Sequence, residues 1–199
     1  MSQAQFIFTM RKVSRFYPPD REVLKDITLA FYPGAKIGVI GPNGSGKSPL
    51  LSAIAGLPPP RSGRVQVLGA SPAEVRPRLA YVLQSVAVAA HVPLTVREVV
   101  TMGRYPHVGA LGRMGRGDRR AVDEAMERLE IADLAARQIH ALSGGQRQRA
   151  FVAQGLAQEA DVLLLDEPVT GLDAVSEQRI LAIVHEEAEA GRTVVISTH

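Results

Sequence analysis

The chain has 199 residues, a formal net charge of +3 and no cysteine, and 46% of its residues are hydrophobic, which is enough for a buried core. No apolar run reaches the roughly 20 residues of a membrane-spanning helix, and the first residues lack the pattern of a secretory signal. The missing thiols exclude disulfides, thiolate metal sites and cysteine nucleophiles. We therefore expect a globular cytosolic protein whose chemistry uses other groups.

The N-terminal half of the sequence predicts short strands separated by turns. Apolar residues alternate or run continuously between glycine and proline breaks, which is typical of strands, and one segment has helical character. The predicted elements are strands over residues 7–13, 23–31, 36–40, 64–68 and 79–83 and a helix over 50–55.

The C-terminal half is predicted to be largely helical. The predicted elements are helices over 95–102, 118–130, 146–158 and 175–190 and strands over 162–165 and 193–197. Strands that alternate with helices imply a mainly parallel sheet. We expect an α/β fold with an N-terminal antiparallel β part. Residues 1–84 and 159–199 would form the core, and about 85–158 an inserted helical subdomain.

A glycine-rich segment, GPNGSGKS, follows the third predicted strand and matches the phosphate-binding pattern G-x-x-x-x-G-K-[ST]. In this pattern, glycines let backbone N–H groups surround phosphate oxygens, and a lysine supplies positive charge. The next helix points its positive end at the phosphates, and the last hydroxyl can ligate Mg²⁺. A flexible glycine turn is the alternative. The pattern predicts a P-loop NTPase core built on Gly41, Pro42, Asn43, Gly44, Ser45, Gly46, Lys47 and Ser48.

Pro49 directly follows this loop and has neither a backbone N–H nor a hydroxyl, so two potential phosphate donors are missing there. Proline is tolerated in a first helical turn, but it disfavours helical geometry at the preceding residue, here Ser48. We predict nucleotide binding that is weakened and not abolished.

Two acidic residues, Asp166 and Glu167, end the apolar run over 162–165. A buried parallel strand would deliver both carboxylates to the carboxyl edge of the sheet, beside the phosphate-binding loop. Asp166 would hold Mg²⁺, and Glu167 would polarise the water that attacks the γ-phosphate. A capping pair of acids would be the preferred interpretation without the glycine-rich loop. With the loop, the hydrolytic interpretation is favoured.

The segment LSGGQ opens the helix predicted over 146–158 and offers a hydroxyl and glycine amides where a second phosphate could dock. One nucleotide does not need two such cradles. The economical explanation is a two-fold dimer, in which this cradle closes over the nucleotide bound by the other copy. The cradle residues are Ser143, Gly144, Gly145 and Gln146.

LSGGQ before a strand that ends in DEP, behind GPNGSGKS, resembles the nucleotide-binding subunits of the ABC transporter superfamily over essentially the whole chain. The resemblance implies one ATP-binding domain that hydrolyses ATP with Mg²⁺. It implies that Tyr17 stacks on adenine, although a simple strand-end aromatic is an alternative. Gln84 in YVLQ matches the glutamine that contacts Mg²⁺ and the attacking water and links the site to the transmembrane partner.

The resemblance extends to two residues near the end of the sequence. Asp173 in VTGLD matches the aspartate that crosses the dimer interface, although many relatives carry serine and alanine at Thr170 and Gly171. His199 in ISTH matches the histidine that contacts the γ-phosphate, and it is the last residue. Because relatives continue with another strand and helices, we expect a fragment with impaired hydrolysis.

The segments LTVREVVTMGRYPH and LAQEADVLLLDEPVTGLDAVSE resemble ATPases of bacterial metal and metal-chelate importers. The later segment, LAQEADVLLLDEPVTGLDAVSE, looks closer to the manganese and zinc type than to the iron-siderophore type. The resemblance implies a homodimer with two permease subunits and an external binding protein, peripheral at the cytoplasmic face of the membrane. The alternatives are a soluble ABC ATPase that acts on DNA or ribosomes, and a nucleotide-binding module without turnover.

The remaining charged residues do not indicate another function. The basic stretch RMGRGDRR, over 113–120, is interpreted as a solvated connecting loop rather than a nucleic-acid site. His91, His107, His140 and His185 lack the paired or clustered spacing of metal ligands. We expect no nucleic-acid partner and no protein-bound transition metal.

Overall fold

The computed structural model describes residues 6–17, 21–57, 60–84, 93–109 and 112–199. Its strands are β1 (Phe8–Tyr17), β2 (Arg21–Phe31), β3 (Lys36–Ile40), β4 (Ser62–Val67), β5 (Leu79–Val82), β6 (Val162–Asp166) and β7 (Thr193–Thr198). Its α-helices are α1 (Lys47–Ile54), α2 (Val96–Thr101), α3 (Tyr105–Val108), α4 (Arg116–Arg128), α5 (Gly144–Ala157) and α6 (Ala174–Glu189). Within these described ranges, no helix is both long and apolar enough to cross a membrane.

The first sheet is antiparallel and has the strand order β2-β1-β4. Phe8 of β1 pairs with Phe31 on one side and with Val67 on the other. Register shifts interrupt both ladders, which bends the strands and increases their twist. The predicted N-terminal antiparallel part is therefore confirmed.

The second sheet is fully parallel and has the order β3-β7-β6-β5. Its strand β6 is buried at every residue, as expected for an apolar run covered on both faces. Because the strands are parallel, their carboxyl ends lie at one edge, and Asp166 of β6 pairs in register with Ser197 of β7. The mainly parallel sheet predicted from the sequence is confirmed.

Each face of the parallel sheet has its own hydrophobic core. Alternate residues of β6 separate the two cores, with Leu163 and Leu165 on one face and Val162 and Leu164 on the other. Helices α2, α4, α5 and α6 cover the first face, whereas α1 and the antiparallel sheet cover the second. The helices between β5 and β6 thus share a core with the sheet.

The helix boundaries follow from capping residues. Thr95 forms a capping box with Glu98 at the start of α2, and Ser143 forms one with Gln146 at the start of α5. Helix α3 was not predicted, because a four-residue helix is too short to show helical periodicity. Helix α1 begins at Lys47, three residues before the predicted start at residue 50.

Candidate nucleotide-binding site

The glycine-rich loop joins the end of β3 to the start of α1. Gly46 precedes the helix with a φ of 97°, a left-handed conformation that glycine adopts without a steric penalty. The backbone N–H of Leu50 donates to the Gly46 oxygen at 2.9 Å, which closes the first helical turn. The loop therefore ends at a helix N-terminus, where backbone N–H groups can receive an anion.

Lys47 is the first residue of α1, and its side chain is 5% exposed. Its ammonium group donates to the oxygens of Gly41 and Pro42, the latter at 3.4 Å, and lies 3.1 Å from the Glu167 carboxylate. The predicted lysine and the predicted hydrolytic carboxylate thus meet directly, at the carboxyl edge of the parallel sheet.

Pro49 is the third residue of α1, inside the first turn, where its missing N–H would have no intrahelical partner. Ser48 keeps helical geometry, so the disfavoured geometry expected before proline does not prevent the helix. Arg15 of β1 is buried and donates to the Pro49 oxygen at 3.0 Å and to the Leu57 oxygen at 3.2 Å. It therefore connects the first turn of α1 and the segment after α1 to strand β1.

Asp166 is 2% exposed and is held by hydroxyl groups from both neighbouring strands. Ser197 of β7 donates to one carboxylate oxygen at 2.6 Å, and Tyr81 of β5 donates to the other at 3.3 Å. Among the described residues, Asp166 has no ion-pair partner. A buried carboxylate that has only neutral donors is suited to a cation.

The Tyr81 hydroxyl is protonated at neutral pH. Burial raises the pKa of Tyr81 to about 12, and the charge of Asp166 adds to the rise. The phenol is therefore a permanent hydrogen-bond donor to Asp166 at neutral pH.

Glu167 is 4% exposed and has a φ of 46°, a strained value for a residue with a side chain. Its carboxylate accepts a hydrogen bond from the Gln84 amide at 2.5 Å and lies 2.9 Å from the His199 ring. Its backbone N–H donates to the Ser197 hydroxyl at 2.9 Å. The turn after β6 thus aims Glu167 at the loop and not back into the sheet.

The structure brings together five residues that the sequence nominated separately: Lys47, Gln84, Asp166, Glu167 and His199. His199 also lies 3.5 Å from the Lys47 ammonium. Tyr17 is the last residue of β1, and its side chain lies outside the described part, so its predicted stacking on adenine stays a prediction.

The LSGGQ cradle lies at the start of α5, on the other face of the sheet from α1. Ser143 and Gly144 are exposed, and the Ser143 hydroxyl accepts from the Gln146 N–H at 3.2 Å. Within one chain, the cradle and the phosphate-binding loop therefore begin helices that cover opposite faces of the sheet.

Asp173 caps the N-terminus of α6. Its carboxylate accepts from the backbone N–H and from the hydroxyl of Ser176, both at 2.9 Å, and these bonds lower its pKa. A Cβ at Gly145 would clash with both side chains. The cradle helix therefore packs directly against the turn that carries Asp173, whose predicted role across a dimer interface stays a prediction.

Three residues that contribute to the site were not found from the sequence: Arg15, Tyr81 and Ser197. Tyr81 and Ser197 lie within YVLQ and ISTH, the segments that nominated Gln84 and His199, but neither residue was itself assigned a role. The signal that could have indicated Ser197 is its position two residues before His199, in the strand beside β6.

An apolar groove lies between the parallel sheet and the helices of the insertion, beside Gln84. Its volume is about 380 Å³, and its lining includes Leu83, Met102, Pro106 and Phe151. Leu83 is 46% exposed, which is high for a large apolar side chain. The groove thus offers an apolar surface at Leu83, directly before Gln84 in the chain, and Gln84 contacts Glu167.

Comparison with known proteins gives a consistent result. The profile of the family described as "ABC transporter" matches residues 24–170. The manganese transport system ATP-binding protein MntB of Halalkalibacterium halodurans is 41% identical over 187 residues, covering 94% of this chain and 74% of the relative. The zinc transport system ATP-binding protein TroB of Treponema pallidum is 41% identical over 179 residues, with shares of 90% and 67%.

A solved structure with the same fold is the ATP-binding cassette MJ0796, a dimer in a post-hydrolysis state with ADP and Pi bound. Its TM-score is 0.85 at 27% identity, and the match covers 96% of this chain and 88% of the solved chain. The fold predicted from the phosphate-binding loop is therefore confirmed.

Proposed function

The chain belongs to the ABC transporter family, and from that membership we propose that it binds and hydrolyses ATP to drive the import of a metal ion. The observation that carries the proposal is the meeting of Lys47, Glu167, Gln84 and His199 at the end of the glycine-rich loop. Phosphoryl transfer depends mainly on positioning and charge neutralisation, and this arrangement supplies both.

Lys47 and the N-terminus of α1 would bind the nucleotide phosphates. Phosphate oxygens would replace the neutral carbonyl oxygens of Gly41 and Pro42 around the Lys47 ammonium, because they are charged, and they would compete with the Glu167 carboxylate for it. The remaining residues of the glycine-rich loop, Asn43, Gly44, Ser45, Gly46 and Ser48, would contribute backbone N–H groups and the Ser48 hydroxyl.

Mg²⁺ fits the oxygen donors of Ser48, Asp166 and Gln84, and the buried Asp166 carboxylate favours a cation because it has only hydroxyl donors in the described part. The bound ion would neutralise charge on the transferred phosphoryl group. Glu167 would accept a hydrogen bond from the attacking water, and Gln84 and His199 would orient the Glu167 carboxylate.

We further propose that two copies form a dimer around ATP, with Ser143, Gly144, Gly145 and Gln146 of one copy closing over the loop of the other. The separation of the two cradles within one chain supports this arrangement. The dimeric state of MJ0796 supports it as well. Asp173, beside the cradle, would then lie near the two-fold axis.

The proposed cargo is manganese or zinc, which the names of the two relatives specify for their own transport systems. The proposed partners are two permease subunits and an external binding protein, with this chain peripheral at the cytoplasmic face of the membrane. A short apolar helix of the permease would occupy the groove at Leu83, where the neighbouring Gln84 contacts Glu167. The helices between β5 and β6, about residues 85–158, would move as one subdomain.

Steady-state ATP hydrolysis tests the catalytic assignment. Glu167→Gln should bind Mg-ATP but lower the rate at least about 100-fold, because it removes a general base. Glu127→Gln, an exposed change on α4, is the matched control and should keep the rate. Equal rates for Glu167→Gln and the wild type would refute the assignment.

Co-purification with the permease tests the docking surface. Leu83→Glu places a charge in the groove and should reduce the permease-bound fraction, while the free chain still binds ATP. Full permease binding by Leu83→Glu would exclude the groove as the contact.

A further inference from the structure

The carboxylate of Asp166 is fixed from two sides of the sheet. Strand β6 lies between β7 and β5, and each neighbour supplies one hydroxyl, from Ser197 at 2.6 Å and from Tyr81 at 3.3 Å. Each hydroxyl contacts a different carboxylate oxygen, so rotation of the carboxylate would break both bonds. The orientation of Asp166 is therefore determined by both strands.

Tyr81 also contacts the helix that follows the phosphate-binding loop. The Ser52 hydroxyl of α1 lies near enough to the Tyr81 hydroxyl to oppose the rise in the pKa of Tyr81, and it donates to the backbone oxygen of Ser48. The phenol thus lies between the strand that carries Asp166 and the helix turn that carries Ser48.

The ring of Tyr81 packs against the core on the α1 face of the sheet, together with Leu51 and Leu164. Packing fixes the ring, and the ring fixes the position of its hydroxyl. A phenylalanine at this position would keep the packing and remove only the hydrogen bonds. The two contributions can therefore be separated by one substitution.

We propose that Tyr81 is a positioning residue for the divalent cation of the nucleotide, holding Asp166 and the Ser48 turn at the spacing that the cation requires. The inference rests on the proposed function, in which Asp166 and Ser48 contribute to the cation site. Partners that orient a ligand change metal affinity without touching the metal. Tyr81 acts through Asp166 and Ser48 and makes no contact with the reacting atoms.

Binding of Mn²⁺, measured by electron paramagnetic resonance with a non-hydrolysable ATP analogue, tests the inference. Tyr81→Phe should weaken Mn²⁺ binding about 10-fold, the low end of the range for residues that orient metal ligands. Binding of the analogue in the presence of a chelator should stay at the wild-type value, which also shows that the variant is folded. Tyr32→Phe, which removes an exposed hydroxyl, is the matched control.

Two outcomes distinguish a failure of this inference from a failure of the proposed function. Wild-type Mn²⁺ affinity in Tyr81→Phe, together with lost Mn²⁺ binding in Asp166→Asn, would overturn the role of Tyr81 and leave the proposed site intact. Wild-type Mn²⁺ affinity in Asp166→Asn would overturn both. A loss of analogue binding without metal in Tyr81→Phe would assign Tyr81 to packing and contradict the inference.

Discussion

Asp166 and Glu167 are adjacent in the chain and have different electrostatic surroundings. The Glu167 carboxylate lies near the Lys47 ammonium and the His199 ring, whereas in the described part of the chain Asp166 receives only hydroxyl donors. The cost of burying a carboxylate is offset by an opposite charge, so Asp166 gains more from a bound cation than Glu167 does. The two acids can thus divide cation binding and water activation between them.

Replacing Pro49 with threonine should strengthen nucleotide binding. Threonine supplies a backbone N–H and a hydroxyl in the first turn of α1, next to the phosphates. One added hydrogen bond to a charged group contributes about 1.5–3 kcal/mol, so the affinity for Mg-ATP should rise about 10-fold or more. Isothermal titration of both proteins measures the change. An unchanged affinity would mean that position 49 does not contact the phosphates.

Stability at alkaline pH should depend on Tyr81. The ordinary pKa of tyrosine is 10.0, and the folded protein holds the Tyr81 proton up to about pH 12. Between these values the unfolded chain loses the proton first, so the free energy of unfolding falls as the pH rises. Between pH 9 and pH 11.5, the urea concentration at the unfolding midpoint should therefore fall further for the wild type than for Tyr81→Phe. Equal drops would contradict the burial of the hydroxyl, and Tyr32→Phe is the control.

Single residues were predictable where a motif connects type and spacing to chemistry, as for Lys47 and Glu167. Tyr81 and Ser197 were not, because their contacts depend on the order of strands β5, β6 and β7 in the sheet. Sequence alone does not fix which strands are neighbours. Tyr81 and Ser197 also fill ordinary positions in their strands, so neither residue type indicates a functional site by itself.

At the scale of elements, Gly103 brings two parts of the helical insertion into close contact. It lies in the short turn after α2, and a Cβ there would clash with the backbone oxygen of Gln154 on α5. Gly103→Ala should lower the free energy of unfolding by about 1–3 kcal/mol, because backbone must shift. Urea unfolding measures this loss.

The matched control for Gly103→Ala is Gly117→Ala, the same change on helix α4. A Cβ at Gly117 meets nothing within 4 Å, so the stability should be unchanged or slightly higher. A Gly103→Ala protein as stable as this control would contradict the close packing of α5 against the turn.

The existence of most elements was predictable, and their ends were less so. Strand β3 agrees in both bounds with the prediction, because polar and glycine residues flank its short apolar run. Helix α5 begins two residues before the predicted start, since Ser143 caps the helix and two glycines form its first turn. Glycine has a low helix propensity, so a pattern of apolar residues does not reveal such a turn.

For the whole molecule, the main consequence of the fold is the separation of two phosphate cradles. Helix α1, which starts at Lys47, and helix α5, which follows the cradle at Ser143, cover opposite faces of the parallel sheet. In the proposed dimer, a second copy related by a two-fold axis would supply the missing half of each site. ATP would then stabilise the dimer, because it binds the closed form at both surfaces.

The molar mass of Glu167→Gln in solution tests this central claim most directly. With Mg-ATP, light scattering should give twice the 21.4 kDa of one chain, and with Mg-ADP the mass of one chain. Adding Ser143→Arg, which fills the cradle, should restore the single-chain mass while ATP still binds. A single-chain mass for Glu167→Gln saturated with Mg-ATP would contradict the account.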